Sequence, residues 1–124
     1  LALHAFQDMI GGEIYVKKIP SIKVTDVARI VAPGMPHEII GIRPGEKLHE
    51  QMIGVEDAHY TYEYDQHFKI LPAIHEWCDD PARIKDGRKV DEGFFYSSDN
   101  NSDWMKDIEL QSWLSKNIDE IGNI

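Results

Sequence analysis

The 124 residues carry 13 Lys and Arg against 22 Asp and Glu, a formal net charge of −9, with 42% of positions hydrophobic. That length allows one compact domain and is short for two, and the apolar share is enough for a packed core. The acidic balance excludes a nucleic-acid binder, which needs a basic stripe; the small cluster Lys17, Lys18 and Lys23 does not supply one. The single cysteine, Cys78, rules out an internal disulfide, and the CxxC pairs of a structural zinc site are absent. No apolar stretch approaches the roughly 18 residues of a membrane span, and no signal-peptide pattern opens the chain. A soluble, cytoplasmic protein with no membrane partner is the expectation.

The chain opens without Met on LALHAFQDMI, where Ala2, Ala5, Phe6, Met9 and Ile10 recur at helical spacing. The expectation is a piece of a longer protein that starts in or beside a helix. Gly11 and Gly12 are placed to stop that helix. Residues 13–17 (EIYVK) alternate as a short strand with Ile14 and Val16 on one face. Pro20 breaks the pattern. A second helix then starts between Ser21 and Thr25, carries Val24, Val27, Ile30 and Val31, and ends at Pro33-Gly34. Residues 37–42 (HEIIGI) read as a second short strand, and Pro44 as the start of a short helix bearing Leu48 and Met52. Residues 60–71 alternate at Tyr60, Tyr62 and Tyr64 and again at Phe68 and Ile70, which predicts two short strands, or one bent one, around Asp65 and Gln66. From 72 to 101 the signal is irregular and reads as a long loop. A last amphipathic helix over about 107–119 groups Leu110, Trp113, Leu114 and Ile118. The class is α/β: a single domain over 1–124 with few short strands and helices, more like one lobe of a larger molecule than a complete enzyme.

The strongest chemical signal is GIRPGEKLHE, residues 41–50. A strand that delivers Arg43 to its C-terminal end, followed by a helix N-terminus at Pro44, sets a planar guanidinium fork beside free N–H groups and suits phosphate. Glu46 is placed to accept hydrogen bonds from a ribose diol. The same residues equally make a surface ion pair with an ordinary first-turn carboxylate, and both readings stay open. HEQMI at 49–53 misses the HExxH metal pattern because Ile53 stands at the second ligand position, and HEWCDD at 75–80 lacks a matching half, so no metal is expected. There is no GxSxG, and Cys78 sits among acidic neighbours that disfavour a thiolate nucleophile. The tyrosines at 60, 62 and 64 read as a sheet face packed on a neighbour, with base or sugar stacking as the alternative. YSSDNNSDW at 96–104 reads as turns or as a sugar-contacting loop, and Trp77, Trp104 and Trp113 as core or interface anchors.

Three segments, GGEIYVKKIPSIKVTDVARIVAP (11–33), IIGIRPGEKLHEQMI (39–53) and TYEYDQHFKILP (61–72), occur in collinear order. Together they resemble the C-terminal part of the inverting UDP-N-acetylglucosamine 4,6-dehydratases, which belong to the extended short-chain dehydrogenase/reductase superfamily. Members of the pseudaminic acid pathway, which feeds flagellin glycosylation, are the nearest kind. YSSDNNSDW and the final helix look like that family's tail, so the resemblance spans about residues 3–114. It implies the substrate-binding lobe of a Rossmann-type enzyme. It also implies an activity: NADP-dependent oxidation at C4 of the sugar, loss of water across C5 and C6, and hydride return to C6 with inversion at C5. Carried over, the family's UDP grip falls on Arg43 for the diphosphate and Glu46 for the ribose, with Lys18, Pro20 and Ser21 on the nucleotide side. The glycine-rich dinucleotide fingerprint and a Tyr-x-x-x-Lys pair are absent from this sequence. The resemblance therefore assigns NADP and the hydride chemistry to an N-terminal Rossmann domain, leaves this piece inactive alone, and implies a homo-oligomer when complete. One departure is Lys106, which stands where the family has a capping Ser; Asp107 is expected to cap the last helix instead. A stand-alone nucleotide-sugar-binding or interaction module, a retaining 4,6-dehydratase and a nucleotide-sugar epimerase are the alternatives.

Overall fold

The computed structural model describes residues 1–121. In chain order the elements are α1 (Ala2–Asp8), β1 (Ile14–Lys17), α2 (Val24–Val31), β2 (Gln51–Ile53), β3 (Thr61–Glu63), β4 (His67–Ile70), α3 (Pro81–Ile84), β5 (Arg88–Lys89), β6 (Tyr96–Ser97) and α4 (Asp107–Ile121), with 3-10 turns at Val55–Tyr60 and Trp77–Asp79. The architecture is mixed α/β with antiparallel sheets. Contacts gather the chain into two units, one of Leu1–Ile19 with Gln51–Ser97 and one of Pro20–Glu50 with the chain from Ser98 onward.

In the first unit β1, β4, β3 and β5 form one sheet in that order, and β2 pairs with β6. The two strands expected over 60–71 are β3 and β4, joined by a hairpin that the Tyr64 N–H closes on the His67 carbonyl at 2.9 Å. Alternation gives the sheet two unlike faces. Val16, Phe68 and Ile70 share one face and form a buried cluster with Ile53 and Tyr96, against which Tyr60, Val90 and Phe94 pack. The register sets Tyr15 and Tyr62 opposite Lys69, so the other face is aromatic and charged. Helices α1 and α3 lie against that face, because Lys69 Nζ donates to the Asp8 carboxylate at 2.5 Å and to the Arg83 carbonyl at 2.9 Å.

Several expectations change. Helix α1 ends at Asp8 with Met9 already extended, and Gly11 and Gly12, at φ 136° and 84°, instead turn the chain into β1. Phe6 on the helix, and Met9 and Ile10 beyond it, are exposed; the helix presents His4 and Asp8 to the sheet. The stretch 72–101 is tied down rather than irregular. Asp80 caps α3 by accepting the Ala82 N–H at 2.9 Å, with Pro81 in the first turn. The Tyr62 and Tyr64 hydroxyls donate to the Cys78 and Ile84 carbonyls at 2.9 and 2.7 Å, and β5 and β6 extend the two sheets. Elements of two to four residues show no periodicity in sequence, so composition alone reads as loop.

In the second unit α2 starts and stops where the sequence placed it and packs with α4; Arg29 reaches Asp107 at 2.9 Å. Val27 and Ile30 are half-buried, while Val24 and Val31 stay exposed. On α4 Leu110 is buried, Leu114 half-buried and Trp113 exposed; Ile118 lies outside the residues whose side chains are described. Lys106, not Asp107, is the cap residue. Its N–H donates to the Glu109 carboxylate at 2.7 Å, one half of a capping box, while Asp107 occupies the first turn. Neither the strand expected at 37–42 nor the helix expected after Pro44 forms; the chain there is irregular, and Met52 belongs to β2. Gly41 and Gly45, at φ 81° and 87°, interrupt both patterns with left-handed backbone.

Candidate functional site

The RPGE segment is a tight turn. Pro44 fixes φ at the first central position and Gly45 supplies the positive φ of 87° at the second, the pairing that a type II turn requires. The Glu46 N–H closes it on the Arg43 carbonyl at 3.0 Å. Glu46 then folds back: its carboxylate accepts the Arg43 N–H at 2.8 Å and stands 3.9 Å from Arg43 Nε. Among the described residues the two terminal guanidinium nitrogens of Arg43 have no acceptor, and the side chain is 71% exposed. With no helix after Pro44, the N-terminal dipole drops out of the phosphate argument. What remains is a presented fork, held at its root by Glu46 and free at its tip to take two oxygens of one anion.

The structure brings Arg43 and Glu46 together in that turn. Pro20 and Ser21 belong to the same unit, where Ser21 acts as a staple. Its N–H donates to the Asp103 carbonyl at 2.8 Å, its carbonyl accepts from Met105 at 2.9 Å, and its hydroxyl accepts from Asn101 Nδ2 at 3.1 Å. Pro20 is half-buried beside it. Lys18 belongs to the other unit, where Nζ donates to Glu63 at 2.9 Å and lies 5.0 Å over the Phe68 ring. Hydrogen bonds from Lys18 and Arg88 hold the Glu63 carboxyl below its usual value. The five residues singled out from the sequence therefore do not form one constellation within either unit.

Sequence reasoning misses a second constellation, on the buried polar face of the first unit. Asp8 accepts from the Tyr15 hydroxyl at 2.6 Å, from Lys69 and from Lys85. Burial pushes the Asp8 carboxyl up, but these three hydrogen bonds prevail and hold it well below the carboxylate range; burial and Asp8 together push the Tyr15 phenol up. Beside it Arg83 binds Glu13 and the Gly11 carbonyl and stacks 4.2 Å over Trp77. His67 stacks flat on Tyr64 at 4.6 Å, and burial drives its pKa down. A cleft of about 400 Å³ opens here between His4, Asp8, Tyr64, His67 and Lys85. The cations and carboxylates of this face pair with each other, an arrangement that holds α1 and α3 on the sheet. The one usable sequence signal is Lys69, a charge inside an alternating strand between two tyrosine-bearing ones.

The residues present do not fit a dinucleotide. A pyrophosphate cradle needs a glycine turn after a strand and before a helix. The only adjacent glycines, Gly11 and Gly12, run the other way, from α1 into β1.

Fold and site define a small mixed α/β domain that displays an arginine on a tight turn. Residues 1–72 match the family model described as "Polysaccharide biosynthesis protein", and the chain belongs to that family. It is 49% identical over 113 residues to a UDP-N-acetylglucosamine 4,6-dehydratase (inverting) of Campylobacter jejuni serotype O:2, a match that covers 87% of this chain and 34% of the relative. A protein of the same description from C. jejuni serotype O:23/36 is 46% identical over 114 residues, with the same coverage, 87% and 34%. The chain thus spans about a third of the length of these curated relatives, 34% in each case. Its fold is similar to that in the X-ray structure of Pen from Bacillus thuringiensis, with a TM-score of 0.69 at 22% identity over 93% of this chain and 33% of that one.

Proposed function

We propose that this chain is the UDP-sugar-binding part of an NADP-dependent, inverting UDP-N-acetylglucosamine 4,6-dehydratase that acts in glycan biosynthesis. The observation that carries the reading is the turn at 43–46, whose arginine fork is exposed and unpaired at its tip. Support comes from 49% identity to an enzyme of that description over most of the chain. On this reading Arg43 takes two oxygens of the diphosphate as charge-assisted hydrogen bonds. Glu46, already holding the Arg43 backbone, accepts from the ribose hydroxyls with its remaining lone pairs. Lys18, Pro20 and Ser21 support the nucleotide side. NADP and the groups that move hydride and protons belong to the remainder of the enzyme, an N-terminal Rossmann domain; this piece binds and orients but does not react. The assembled enzyme is cytoplasmic and homo-oligomeric and supplies a pseudaminic-acid type of pathway for flagellin glycosylation.

The test is Arg43→Ala in the full-length protein. Hydrogen bonds to charged groups are worth about 1.5–3 kcal/mol, so KM for UDP-N-acetylglucosamine rises about 10- to 150-fold while kcat moves less. Arg43→Lys keeps the charge and loses the fork, and recovers only part of the affinity. An unchanged KM in the Ala variant removes Arg43 from the site.

A further inference from the structure

Residues 37–42 carry the β-type sequence HEIIGI, yet among the described residues none of their backbone N–H or carbonyl groups makes a hydrogen bond to the chain. Their apolar side chains are equally without cover: Ile39 is 93% exposed, Ile40 70% and Ile42 59%. A row of unpaired amides flanked by exposed isoleucine is a template for another strand, which soluble proteins ordinarily blunt or cover. Ile39 and Ile40 are adjacent, so in a strand they point to opposite faces. Two consecutive apolar positions mark a strand covered on both faces rather than one with a wet side.

We propose that residues 37–42 pair as a β-strand with the edge of a sheet in the part of the polypeptide outside these 124 residues. The inference rests on the reading that the chain is one lobe of a larger enzyme, and it names the contact by which the lobe is held. The curated relatives are about three times as long as the matched region, 34% of each being covered, which leaves ample chain for that sheet. A second copy of the same segment would satisfy the amides but leave one face of each isoleucine pair open. Pairing also has a consequence for the site. The strand runs into Arg43, so docking it fixes the root of the turn that presents the guanidinium.

Hydrogen exchange read by mass spectrometry on the full-length protein tests this directly. The amides of 37–42 should exchange at least ~100-fold slower than the same sequence unstructured, as paired strand amides do. That protection should survive dilution until any oligomer has dissociated into protomers. Exchange at the unstructured rate overturns the proposal, and so does protection that disappears on dilution, which assigns the pairing to a second copy. UDP-sugar binding measured by calorimetry on the same sample separates the two readings. Binding with unprotected amides defeats the strand alone, whereas protected amides without binding uphold the strand and defeat the substrate assignment.

Discussion

Asp8→Asn should be among the most damaging single changes on the polar face of the sheet, and the reason lies with its partner. Lys69 is 2% exposed, and its ammonium meets Asp8, the Arg83 carbonyl, and the rings of Tyr15 and Tyr64 at 5.3 and 4.9 Å. Removing the only carboxylate within reach among the described residues leaves a buried cation without its counter-charge, which costs about 3–5 kcal/mol. Lys85 binds the same carboxylate but is 48% exposed, so Lys85→Ala should cost less than about 1 kcal/mol. Urea unfolding followed by Trp77 fluorescence, with Trp104 and Trp113 replaced by Phe, reads the difference, since Trp77 stacks on Arg83 in the same unit. The pH dependence carries a sign. The folded Asp8 carboxyl titrates below its ordinary 3.8, so the stability it contributes is fully present above that value and is lost as pH falls through the folded value. The gap between wild type and Asp8→Asn should therefore narrow in acid. Equal losses from Asp8→Asn and Lys85→Ala, or a gap that stays constant into strong acid, would refute the burial argument.

Two glycines offer a contrast. A Cβ on Gly45 meets nothing within 4 Å, so Gly45→Ala carries only the strain of its 87° φ, about 1–2 kcal/mol, and should weaken UDP-sugar binding in the full-length protein and lower Tm by only a few degrees. A Cβ on Gly87 lands 2.5 Å from the Tyr64 hydroxyl, so Gly87→Ala should break the Tyr64–Ile84 bond and lower Tm by more; the reverse order in a melting experiment defeats the steric account. His67 is held below its ordinary 6.5 by burial and then by His4, so folding opposes its protonation. Stability from the neutral ring is present above about pH 6.5 and lost as pH falls through the lower folded value. His67→Phe keeps the stack on Tyr64 and should gain on wild type as pH drops from about 7 to about 5 in paired urea titrations. A difference independent of pH counts against it.

Elements with a local cause were legible. Helix α2 follows from a 3.6-residue apolar repeat ended by Pro33-Gly34, and the β3–β4 hairpin from alternation on both sides of Asp65-Gln66. The short pieces between 72 and 101 were not, because beyond the local cap from Asp80 their stability is non-local: tyrosine hydroxyls from β3 and the chain beyond it hold them. The same limit hid the polar face. Asp8 lies 61 residues from Lys69, and Glu13 lies 70 from Arg83, distances over which no spacing rule operates.

The turn at 43–46 shows the opposite case, a local structure that departs from the one the sequence pattern implied. Sequence spacing pointed to Arg43, but the helix that was to reinforce it is replaced by a turn that Gly45 makes possible. A helix N-terminus contributes about 0.3–1 kcal/mol to an anion beside it; without one, the proposed anion contact at this point would rest on the guanidinium alone. Glu46 then matters less as a free acceptor than as the group that holds the root of Arg43 through the backbone N–H at 2.8 Å. Among the described residues the segment leading into the turn has no partner for its own amides, so on the strand proposal the precision of the fork depends on what that segment pairs with. On the proposed readings the two features, a segment with unpaired amides and a guanidinium with an open tip, are adjacent in sequence and share one physical requirement: each is completed by a group from outside these 124 residues.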